Sequence, residues 1–135
     1  MAETSADSGE YQPGVCNIGT AERQRRRRTG HLGSLAGVAL LVAVGGLGLP
    51  PYYGLASTVF FIAGAVGYLQ DRYQFCAYYG QRGEYNLGGL DQRPETVTDE
   101  AARRRDRQRS REIYAYSLVA GLGVGLLGTG ILYLL

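Results

Sequence analysis

Two cysteines and one histidine are the side chains of this sequence best suited to chemistry: Cys16, Cys76 and His31. Cys16 precedes a long uncharged stretch and Cys76 follows it. A chain that runs out and back along that stretch returns both thiols to one end, beside His31. Two thiols there suggest a redox pair, and an added imidazole suggests a metal. Structural zinc takes four ligands, usually in closely spaced pairs, and three scattered ones do not form that pattern. A standing disulfide is not expected in a reducing compartment. Cys16 and Cys76 are therefore expected to be structural, with thiol chemistry as the alternative, and no cofactor or metal is expected. His31 has no neighbouring acid in sequence to tune it and reads as an interfacial polar residue.

The charges carry more information. All fourteen basic residues are arginines, and none lies within residues 32–70 or 113–135, which also lack acids. An uncharged run of about 18 residues or more can cross the ~30 Å hydrocarbon core as a helix. Residues 32–70 suffice for two crossings folded at Pro50-Pro51, because proline ends one helix and suits the first turn of the next. The expected fold is thus an all-α membrane protein: a transmembrane helical hairpin (spans 32–49 and 52–70) plus a third, C-terminal transmembrane helix (113–135). Mean hydropathy, −0.13, averages greasy spans with arginine-rich flanks.

The flanks follow from composition. Residues 1–15 are polar and acidic and read as a disordered cytoplasmic tail. The first 22 residues hold four acids and no base, unlike a secretory signal, so the first span is expected to stay uncleaved. Thr20 is a plausible N-cap, with Glu22 in the first turn of a helix that contains Arg23 and Arg25 to Arg28. Residues 71–97 are rich in glycine and read as a cytoplasmic loop. A long helix is expected from residue 98, capped by Thr96 or Thr98 and supported by the i,i+4 pairs Asp99–Arg103 and Glu100–Arg104. Every arginine then falls on one face, which the positive-inside rule makes cytoplasmic, and Leu135 faces out. Arg25, Arg26, Arg27, Arg28, Arg103, Arg104, Arg105, Arg107, Arg109 and Arg111 are expected to meet anionic lipid headgroups. Nucleic-acid binding is not expected, since no recognition fold is present.

Small residues recur at packing intervals. Gly121, Gly125 and Gly128 share a face of span three, Gly33 and Gly37 lie in span one, and Ala63 and Gly67 in span two. In lipid, close backbone approach through small residues drives helix association, so these seven are the candidate packing positions.

Two segments carry a resemblance. Cys16-Asn17-Ile18-Gly19-Thr20-Ala21-Glu22-Arg23, a hairpin, then Phe75-Cys76-Ala77-Tyr78-Tyr79-Gly80 resembles a small two-helix inner-membrane domain of unknown function, found alone or fused to rhodanese-type sulfurtransferases. The resemblance spans about residues 16–80. It implies a helical-hairpin membrane domain with the capacity to dimerise and hints at sulfur chemistry near Cys76, without implying an activity. The acidic tail, Cys16 and the third span depart from that pattern. No rhodanese module is present, so a sulfurtransferase role is not inherited.

No catalytic motif is visible and no enzyme is expected. The leading expectation is a small non-enzymatic accessory membrane protein, self-associating or within a larger complex. The alternatives are a thiol-bearing accessory of membrane sulfur or redox metabolism and an oligomeric channel. The channel is disfavoured because no ionisable residue lies inside a span.

Overall fold

The computed structural model describes residues 10–135. In chain order these form α1 (Thr20–Gly46), a 3-10 turn (Pro51–Ala56), α2 (Ser57–Tyr73), α3 (Ala77–Arg82), the short strands β1 (Glu84–Tyr85) and β2 (Glu95–Thr96), and α4 (Glu100–Leu134). The architecture is mostly helical. Three helical segments are long and apolar enough to cross a membrane: Thr20–Gly46, Pro51–Tyr73 and Glu100–Leu134. α2 packs extensively on both α1 and α4, whereas α1 and α4 scarcely meet.

Local chemistry sets the boundaries. α1 begins at Thr20, but its N-cap is Gly19, with no side-chain cap. A Cβ at Gly19 would strike the Leu87 carbonyl, so the close approach of that segment requires glycine there. The helix runs unbroken for 27 residues, about 40 Å, joining the arginine-rich stretch to the first uncharged stretch. Gly48 then takes φ +68°, and Pro50 is extended. The second segment does not start as an α-helix at residue 52, because a 3-10 turn comes first. Gly54 in that turn is tucked against Leu132, Thr129 and Leu41, which draws the chain reversal under the end of α4.

α2 ends in a Schellman turn. Gln74 is left-handed (φ 56°), its N–H donates to Asp71 O at 3.2 Å, and Phe75 N donates to Gln70 O at 3.0 Å. This swings Phe75 inward against Ala77 and Ile113. Residues 71–97 are accordingly not a plain loop. They hold the end of α2, α3 and an antiparallel ribbon pairing Glu84 with Thr96 and Tyr85 with Glu95. A parallel bridge between Ile18 and Asn86 ties the N-terminal segment to it.

The N-terminal segment also differs from expectation over residues 10–15, and residues 1–9 lie outside the described part. Tyr11 Oη donates to Asp106 Oδ2 at 2.6 Å, Gly14 N to Asp106 Oδ1 at 2.7 Å, and Arg109 Nε to Gly14 O at 3.0 Å. α4 is capped by Asp99, which accepts from Ala102 N at 3.0 Å, rather than by Thr96 or Thr98. Its ion pairs among the described residues are Arg107–Glu100 and Arg109–Glu112 rather than the expected i,i+4 pairs; Asp99 is taken up in capping Ala102 N, and Arg103 lies against Gly83.

Burial runs opposite to that of a water-soluble bundle. The inward stripe of α4 is Ala102, Asp106, Ser110, Ile113, Ser117, Gly121, Gly125 and Thr129. Its outward face carries Val119 and Leu127, 71% and 70% exposed. α1 likewise buries Gly30 and Gly37 while exposing Leu32, Leu35 and Val42.

Candidate functional site

At the charged end of the helices, α1, α2, α3 and α4 enclose a polar network. Its anchor is Asn17, fully buried, whose Oδ1 accepts from Cys76 N at 2.6 Å and whose Nδ2 donates to Cys76 O at 3.1 Å. One side chain thereby closes both backbone groups of the residue at the α3 N-cap. Gln70 Oε1 accepts from the next amide, Ala77 N, at 2.9 Å. Two segments nearly 60 residues apart are stitched together by these bonds.

Glu22 and Arg26 lie one helical turn apart behind that anchor. Glu22 is 1% exposed. Its Oε2 accepts from Tyr79 Oη at 3.2 Å and Asn86 Nδ2 at 3.4 Å. Its Oε1 is 3.3 Å from Arg26 Nη2 but out of line for a hydrogen bond, so that contact is Coulombic. The same Nη2 donates to Cys76 Sγ at 3.0 Å. Arg26 Nε is buried without an acceptor, a condition costing about 1–3 kcal/mol. Burial, then the Glu22 charge, raises the Tyr79 phenol above its ordinary value and keeps it a donor.

An open-sided cavity of about 350 Å³ adjoins this network. Arg25 and Arg26 form one wall, Cys76 with Tyr78 and Tyr79 another, and Tyr114 a third, with Val66 and Gln70 at the α2 side. It lies where charged residues give way to the uncharged stretches on each long helix.

A second polar node holds the N-terminal segment. Asp106 is fully buried, and desolvation raises its carboxyl above the usual range although the donors Tyr11 and Gly14 pull it down. Burial, reinforced by the Asp106 hydrogen bond and charge, raises the Tyr11 phenol. On α2, Asp71 joins Arg23 at 3.2 Å and Arg27 at 2.9 Å, locking the hairpin at its charged end.

Cys16 and Cys76 are both buried, neither is in a disulfide, and both belong to this end of the fold. His31 is apart from them: exposed, with Nδ1 2.6 Å from the Tyr68 hydroxyl. Among the described residues no group of three His, Cys, Asp or Glu is arranged to hold a metal. The expected headgroup arginines divide. Arg26 and Arg109 turn inward, Arg109 over the Tyr73 ring, and Arg27 is held by Asp71, whereas Arg25, Arg28, Arg104, Arg105 and Arg111 are exposed. Arg103 lies against Gly83, and Arg107 pairs with Glu100.

Six of the seven candidate packing positions meet another helix of the same chain. Added Cβ atoms at Gly33, Gly67 and Gly121 would strike the backbones of Gly64, Gly30 and Ile62, and one at Gly125 would strike Thr58. Gly37 is covered by the Phe61 ring and Gly128 by Leu41. Ala63 is the exception. It is exposed, because Gly64, one residue on, faces α1. The small pairs that the spacing missed are Gly30 with Gly37 and Gly64 with Gly67. Sequence reasoning also missed Tyr11, Asn17, Gln70, Asn86 and Asp106 as buried network members. Only the polarity of the segments around Asn17 and Asn86, flanked by glycine, hinted at them.

Comparison of the chain with protein-family models, curated proteins and solved structures finds no match.

Proposed function

We propose that this chain is a small, non-enzymatic integral membrane protein that serves as an accessory subunit. The observation that supports this best is the inverted burial of the three apolar helices. Small and polar side chains face inward on α4 while Val119 and Leu127 face out, an arrangement that water penalises and hydrocarbon accommodates. Because Gly33, Gly37, Gly67, Gly121, Gly125 and Gly128 are spent on contacts within the chain, association with a second copy or a larger complex falls to the exposed leucine and valine faces. The exposed arginines would contact anionic headgroups at the cytoplasmic surface.

The test is retention with membranes in alkaline carbonate, together with a reporter active only in the cytoplasm. The reporter should work when fused at Met1 and fail at Leu135. Release of the chain by carbonate, or an active C-terminal reporter, refutes the three-span arrangement.

A second reading, a thiol-bearing accessory of membrane sulfur or redox metabolism, draws on the Arg26–Cys76 contact, since cysteines beside arginine are where thiol reactivity is usually found. Replacing Cys16 and Cys76 with serine separates the two: the packing role survives the exchange, and the thiol role does not.

A further inference from the structure

The cavity at the charged end has the composition of a binding site for one anion. Arg25 and Arg26 bring two positive charges, and Glu22 behind them cancels one, leaving a net single charge. Arg25 is exposed and forms no ion pair among the described residues. Arg26 lies on the same wall with its side chain 16% exposed, its Nε–H buried behind the surface it presents. An oxygen of a monoanion entering the cavity would accept from both guanidinium groups, a bond type roughly twice as strong as a neutral one. Tyr114, without a hydrogen-bond partner among the described residues, adds a phenol at the rim.

The walls are not uniformly polar. Val66 supplies an apolar surface on the side of the uncharged stretches, where α1 and α4 both pack on α2 and scarcely meet each other. A free phosphate ion would use only the arginine side. A phosphodiester carrying hydrocarbon tails would use both.

We propose that this cavity is a specific site for a single monoanionic phosphodiester lipid headgroup, with Arg25 and Arg26 on the phosphate and the acyl chains leaving past Val66. The site rests on the membrane reading above and goes beyond it, because a general basic surface requires no cavity and no particular arginine.

The full chain, purified in dodecyl maltoside, would be titrated with dioctanoyl phosphatidylglycerol, dioctanoyl phosphatidylcholine or glycerol 3-phosphate, and adducts counted by native mass spectrometry. The expected result is one phosphatidylglycerol per chain, held about tenfold more tightly than phosphatidylcholine, with glycerol 3-phosphate not retained. Arg25→Gln should abolish the preference, and Arg28→Gln, on the exposed face outside the cavity, should leave it intact. Equal retention of the two lipids, no retention, or equal weakening by both substitutions overturns the site. Retention of glycerol 3-phosphate as strong as that of phosphatidylglycerol overturns the lipid assignment. Carbonate retention, measured on the membranes before detergent is added, separates failure of this site from failure of the membrane reading: a retained chain without a preference loses only the site.

Discussion

Gly67→Ala is the smallest change that should separate α1 from α2. A methyl at Gly67 would lie 2.5 Å from Gly30 N and 2.6 Å from Arg26 O. Both are backbone atoms of a continuous helix, so no side chain can rotate aside. Ordinary contact begins at 3.4 Å, so the helices must part by about 0.9 Å, the difference between 3.4 and 2.5 Å. A gap of about 0.5–1 Å forfeits a quarter to a half of each dispersion contact along the seam. Overpacking of this kind costs ~1–3 kcal/mol. At about 4 °C per kcal/mol for a chain of this size, the thermal midpoint should fall by about 4–12 °C. The assay is loss of helical circular dichroism on heating in dodecyl maltoside. Gly123→Ala is the internal control, because a Cβ there meets nothing within 4 Å. If Gly67→Ala melts with the parent, or Gly123→Ala falls as far, close backbone contact is not what holds the hairpin.

Other perturbations probe the charged end. Asn17→Ala strips the partner from the buried Cys76 N, at about 1–3 kcal/mol, while Cys76 O keeps its bond from Gly80 N, and should speed hydrogen exchange of the Cys76 amide while leaving amides in the middle of α1 protected. Asp106 has a folded-state carboxyl raised above its unfolded value of 3.8, so the folded protein holds that proton more tightly. Its contribution to stability is therefore full below about pH 3.8 and declines as pH climbs through the raised value. Asp106→Asn should flatten that part of the midpoint-versus-pH curve, and an unchanged slope would assign the dependence to another group.

Much of the architecture is legible from charge alone. An uncharged run of 39 residues broken by two prolines leaves the backbone few options other than a helical pair, and the 23-residue run at residues 113–135 adds a third helix. The glycine spacing identified the seam nearly everywhere, because a helix places every third or fourth residue on one side. It failed at Ala63, where phase decided the matter: Ala63 and Gly64 differ by only 100° of rotation, and nothing in the sequence says which one faces α1. The segment at residues 71–97 was least legible. Its glycines signal turns, but Gly83 at φ +72° serves to seat the ribbon against α4 rather than to loosen the chain.

The sequence by itself determined that three long stretches are helical and at which end the guanidinium groups gather, since those depend on composition along the chain; the exact helix ends and the short helix α3 it did not. Only the tertiary structure decided that Asn17 would meet Cys76, that Arg26 would turn inward to its sulfur while Arg25 stayed exposed, and that Tyr11 would reach Asp106 across 95 residues. Those pairings depend on the relative rotation and depth of helices joined by long connections. That geometry is fixed when small residues let the backbones touch, and no local pattern encodes it.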